Sequence, residues 1–221
     1  VRRPPRSPLF ADTKLFRSTE WSEIKNVRWK SRLPGTGHSS PVVWGDLVFV
    51  TAAVPFGDKL EPKPDADPGA HDNLRVTQPH RFLGLAYDRT NGKLLWQKTL
   101  AEGLPHEGGH HTGSLASHSP VTDGKRLFAD LGSRGLYCLD FDGKLLWKVR
   151  LGKMATKHNH GEGASPASHG RTRVVNGDHQ GQSKGVARDT HTRKTEWESD
   201  RDEVTSWSSP IVIEHEQRSI A

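Results

Sequence analysis

The chain is poor in the residues that tie, sense or span. It has one cysteine, one methionine and two tyrosines in 221 residues, and only 32% of the chain is hydrophobic. A single thiol, Cys138, excludes an internal disulfide framework and any four-cysteine zinc site. Its apolar runs last only a few residues, far short of the roughly 18 to 20 that a membrane helix needs, so no membrane span is expected. No apolar h-region follows the basic residues near residue 1, so no signal peptide is read in this chain.

What the chain has instead is 22 glycines, 14 prolines, 13 histidines and seven tryptophans. That composition favours frequent turns over long helices. The formal charge of +6 is concentrated at one end. Residues 1–30 carry eight Lys/Arg against three acids, and the remainder is close to neutral. Without an aromatic-rich basic stripe, this reads as a solvated arm over 1–26 and not as a nucleic-acid surface.

The body repeats. Asp88 to Trp96, with Gly92 between them, recurs as Asp140, Gly143 and Trp147, and in worn form as Asp189 to Trp197. Trp96, Trp147 and Trp197 are separated by 51 and 50 residues. A second marker, Ser-Pro, opens a short extended stretch at Ser40, Ser119, Ser165 and Ser209. Each unit then reads as four short strands. Asn91-Gly92 and Asp142-Gly143 suit a two-residue hairpin into the tryptophan strand.

Four antiparallel strands per roughly 50 residues predict an all-β fold, a β-propeller with about three and a half blades present and its ring incomplete or open. The tryptophans are expected to pack against the neighbouring blade. The first blade takes 27–53 and 81–100, interrupted by a proline-rich loop insertion over 54–80 with no packed element. The second takes 101–151, the third 152–200, and 201–221 begins another. Too few blades for a closed ring suggests a fragment, or association with missing blades or another protomer. The third unit has Thr192-Arg193-Lys194 at its turn, and Lys184, Arg188 and His191 at positions expected to be apolar, so it is either poorly formed or drifted.

The stretch Ala86 to Trp96 resembles the tryptophan repeat of pyrroloquinoline quinone (PQQ) enzymes and their non-enzymatic relatives. Gly35 to Asp46, Pro105 to Thr112, Gly161 to Pro166 and Val204 to Pro210 carry a wider likeness. Over about residues 25–221 the chain is similar to PQQ-like β-propeller repeat proteins of environmental bacteria. The resemblance implies a propeller, export to the periplasm or beyond, and for most such relatives no established catalysis.

In PQQ dehydrogenases a tryptophan sandwiches the cofactor, Ca2+ sits beside it, and the alcohol-oxidising branch adds a vicinal cysteine pair. Here Trp207 is the tryptophan placed to face a channel, Cys138 stands alone, and no Ca2+ spacing is recognisable. Two readings follow. One is a binding or scaffold module offering a loop-built face to a protein, polysaccharide or small ligand. The other is a fragment of a PQQ-dependent oxidoreductase.

His106-Glu107-Gly108-Gly109-His110 satisfies the H-E-x-x-H zinc-protease pattern, but that chemistry needs a helix to set both imidazoles on one face. Pro105 and the two glycines argue against one. A looser zinc idea uses His110, His111, His158, His160 and Glu162, which fall in blade-to-blade connections with His38, His106 and His118. The alternative is that these loop histidines are solvated or bonded to backbone.

Overall fold

A computed structural model describes residues 20–215 and 218–220; most of the basic arm lies outside the described residues. Strands β1 (Val42–Trp44), β2 (Leu47–Pro55), β4 (His80–Asp88) and β5 (Leu94–Gly103) form one antiparallel four-stranded sheet. β7 (Val121–Thr122), β8 (Arg126–Asp130), β9 (Leu136–Asp140) and β10 (Leu145–Val149) form the second. β11 (Ala167–His169), β12 (Thr172–Gly177), β13 (Ser183–Asp189) and β14 (Thr195–Arg201) form the third. A hairpin of β15 (Ile213–His215) and β16 (Arg218–Ile220) follows. Each sheet pairs its strands in chain order, as propeller blades do.

The insertion differs from expectation. Within it β3 (Asn73–Leu74) pairs with β6 (Gly109–His110), which lies in the connection between the first two blades. The segment is therefore a flap stitched to the blades, despite its prolines.

The repeat aspartate and tryptophan each have one recurring job. The amides of Asp88, Asp140 and Asp189 donate to the carbonyls of Lys93, Lys144 and Lys194 at 2.8, 3.0 and 3.0 Å. Their carboxylates cap the turn, as in Asp140 Oδ1 accepting the amides of Asp142 and Lys144 at 3.1 and 2.8 Å. The loops are four or five residues long and not two, because only one residue per loop, Gly92 (φ +74°), Gly143 (φ +79°) or Arg193 (φ +66°), takes the left-handed conformation.

Trp29, Trp96 and Trp147 each reach the turn of the following blade, whereas Trp197 of the third blade is exposed. Trp96 Nε1 donates to the Phe141 carbonyl at 2.7 Å and Trp147 Nε1 to that of Thr190 at 3.1 Å, in each case the residue after the repeat aspartate. Trp29 does the same to Arg89 at 2.7 Å. The turn glycine makes room: a Cβ on Gly143 would stand 2.8 Å from Trp96 Cδ2.

The core lies between blades. Phe49, Phe82 and Ala86 of the first blade meet Leu127, Tyr137 and Leu139 of the second. The next interface is more polar. Fully buried Arg173 lies 4.2 Å over the Phe128 ring, and its guanidinium donates to the carbonyls of Gly170 and Thr172.

The third blade is complete in spite of its sequence. In β13, Ser183, Gly185, Ala187 and Asp189 are buried while Lys184, Val186 and Arg188 are half-buried on the other face. Strand alternation puts the charges where Glu198 of β14 can pair with Lys184, at 2.5 Å.

Candidate functional site

The segments linking the blades, with the flap, meet and bond to one another. Glu107 is their buried anchor. Its carboxylate accepts the Thr156 amide at 3.0 Å, the Thr156 hydroxyl at 2.6 Å and the Asn159 side-chain amide at 3.1 Å. One carboxylate thereby pins the connection leaving the second blade to the connection leaving the first. Asp67 of the flap accepts the His158 amide at 2.6 Å, while Asn159 Oδ1 accepts the Asp67 amide at 2.9 Å. The Gly69 amide, at 2.7 Å, and then the His158 amide, both donated to the carboxylate, hold the Asp67 carboxyl below its ordinary range.

On this frame sits a histidine cluster. His110, His111, His158 and His160, four of the residues singled out from sequence, come together, and His71 of the flap joins them. His160 is the hub, with ring centroids 4.9 Å from His71, 4.8 Å from His110 and 5.4 Å from His158. His110 and His111 stand 4.4 Å apart. Desolvation first, then the neighbouring His111 and His160, keep His110 below the usual histidine range. His71 carries no sequence signal of its own, because it lies in the proline-rich insertion and its approach depends on the β3–β6 pairing.

Glu162 is elsewhere. It accepts the Ser133 amide at 2.6 Å, is bonded to the Ser133 hydroxyl, and stands 3.7 Å from His106. It braces a turn of the second blade and is not part of the cluster. The H-E-x-x-H segment runs as loop into β6, with no helical turn to align its histidines. His106 Nε2 donates to the Met154 carbonyl at 2.7 Å. His118 is buried with its Nδ1 3.6 Å from Asp130. His38 is exposed.

Trp207 lies at the edge of the cluster, 6.3 Å from the His160 ring, and donates its indole N–H to the Gly161 carbonyl at 2.8 Å. The cavity beneath it, bounded by His118, Glu162, Asn176 and Asp178, has a volume of about 20 Å3, and its neighbour between His106 and Arg134 about 10 Å3. Each has room for about one water and not for a tricyclic quinone. Cys138 is buried in β9, and desolvation pushes its thiol up to about 12, the condition of a structural cysteine. The two cavities beside Trp207 therefore do not take PQQ as they stand.

Among the described residues no helix is long and apolar enough to cross a membrane. No curated protein matches the chain in sequence. Several solved structures are similar to it. Quinohemoprotein alcohol dehydrogenase ADHIIG from Pseudomonas putida HK5 is 14% identical, with a TM-score of 0.46 over 78% of this chain and 22% of that one. A europium-containing methanol dehydrogenase is 17% identical, with a TM-score of 0.44 over 74% and 25%. BamB from Moraxella catarrhalis is 15% identical, with a TM-score of 0.38 over 80% and 55%. The chain thus spans less than two thirds of each. The family described as outer membrane protein assembly factor BamB matches residues 84–218, well over half of the sequence. With its blades, turn aspartates and inter-blade tryptophans in phase, the chain belongs to this PQQ-like β-propeller repeat family.

Proposed function

We propose that the chain is a non-catalytic binding module that presents a loop-built face, working in the periplasm or outside the cell. The observation that carries this reading is the locking of three distant segments by Glu107 and Asp67. Such a frame is preorganised for a ligand, so little ordering entropy is lost on binding. Membership in a family described as an assembly factor supports a role by association. The ligand classes suited to the face are a protein, a polysaccharide or a small polar ligand.

The second reading is part of a PQQ-dependent oxidoreductase, favoured by the half-exposed Trp207 beside His160. Addition of PQQ and Ca2+ to the full chain separates the two. A ligand at a hundred times its Kd stabilises the folded state by about 2.7 kcal/mol. The binding-module reading expects no saturable rise in thermal midpoint and no quinone spectral shift. Both changes together, with dye reduction by an alcohol, would establish the oxidoreductase instead.

A further inference from the structure

The histidine cluster is costly to assemble without a purpose. It draws on three segments: His71 from the flap, His110 and His111 from the first connection, and His158 and His160 from the second. Backbone bonds fix their approach. The His110 amide donates to the His160 carbonyl at 3.0 Å, and the His111 amide to the Asp72 carbonyl at 2.8 Å. Asn73 Nδ2 donates to the His158 carbonyl at 2.7 Å.

Backbone strain is concentrated here as well. Among the described residues five non-glycine residues take positive φ, and three of them, Asp72, His158 and Asn159, frame this cluster. Conformations of this kind persist where surrounding contacts over-determine them, and they collect at ligand sites.

Two of the five rings, the hub His160 and the neighbouring His111, have their nitrogens sorted, whereas His110 Nδ1 accepts from the Thr112 amide at 3.3 Å. A carbonyl can only accept, so His111 donates from Nδ1 to Asp72 and His160 donates from Nε2 to His71, each at 3.2 Å. In the neutral rings this leaves a lone pair on His111 Nε2 and on His160 Nδ1. A second nitrogen tied to a carbonyl is the usual condition of a histidine that ligates a metal.

We propose that His71, His110, His158 and His160 form a binding site for a divalent cation of the zinc class, with His160 at its centre. Imidazole donors without thiolates suit Zn2+, Cu2+ or Ni2+ over softer or purely oxygen-seeking ions. Among the described residues no three side chains already stand in coordinating position, the rings being packed face to face or edge to face. Closing the site needs rotation of the outer rings, and His71, with 57% of its side chain exposed, has the freedom to turn. This deepens the binding-module reading and rests on it only for its purpose. PQQ binding would overturn that reading without touching this one.

The test is titration of the full chain with Zn2+ alone by calorimetry, repeated with Co2+ to read ligand-field absorption. One saturable site per chain is expected. His160→Ala should weaken it by at least about tenfold, the lower end of what metal-site support residues cost, while His38→Ala leaves it unchanged. His71→Ala, at an exposed position, gives the same weakening should His160→Ala impair folding by circular dichroism. Absence of saturable binding, or equal affinity in wild type and His71→Ala, would overturn the proposal.

Discussion

Ser119 donates its amide to the hydroxyl of Ser165 at 2.8 Å, tying the second blade's Ser-Pro marker to the third's. The same bond links Ser40 to Ser119 at 2.8 Å and Ser165 to Ser209 at 2.9 Å. The repeated serine is thus a rung in an inter-blade ladder, a reason for its regular spacing that local sequence does not show. Ser165→Ala removes an acceptor from the Ser119 amide. The expected cost is about 1 kcal/mol, read as a lower midpoint in denaturant with an unchanged slope.

Arg193 carries the turn strain that glycine avoids in the other two blades. An L-residue in the left-handed region costs about 1–2 kcal/mol, partly offset by the greater unfolded-state freedom of glycine. Arg193→Gly should therefore stabilise the chain by about 0.5–1 kcal/mol in denaturant unfolding. Gly143→Arg should destabilise it, since a Cβ there meets Trp96. Equal stability of wild type and Arg193→Gly would remove this account of the turn.

Arg173 makes the interface of the second and third blades a charged one, fully buried and 3.6 Å from Asp123. Arg173→Ala leaves Asp123 without that partner and the Phe128 ring uncovered, at a cost of about 3 kcal/mol. Arg173→Met keeps the volume and should recover much of the loss, because a well-packed apolar residue often replaces a buried charge at little cost. Thermal unfolding of the two variants side by side checks the order.

Markers that recur along the chain were legible because each repeat solves the same local problem. The aspartate caps a turn, the glycine takes positive φ, and the tryptophan docks on the next turn. What sequence could not show depends on distant segments. The flap holds β3 only because β6 is there to pair with it, and so His71 could not be placed beside His160. Glu107 looked like part of a chance zinc-protease pattern, yet its work is to hold Thr156 and Asn159. The third blade looked doubtful because Lys184 and Arg188 were judged by residue type, whereas strand alternation and Glu198 accommodate them.

His118 couples stability to pH. Burial opposes its charge, but the Asp130 carboxylate, followed by Glu162, outweighs burial and raises its pKa in the folded state. A raised histidine contributes stability fully present below its unfolded value of about 6.5. That contribution is lost as pH rises through the higher folded value. Unfolding measured from pH 5.5 upward should show this fall in wild type and not in His118→Gln.

The central claim is that three locked segments build a binding face whose working groups are imidazoles. Anomalous diffraction at the zinc absorption edge, from crystals of the full chain grown with Zn2+, tests it most directly. The account predicts a peak within bonding distance, about 2.0–2.1 Å, of ring nitrogens from His160 and at least two of His71, His110 and His158. No peak there, or zinc bound only at histidines outside the cluster such as His38, would contradict it.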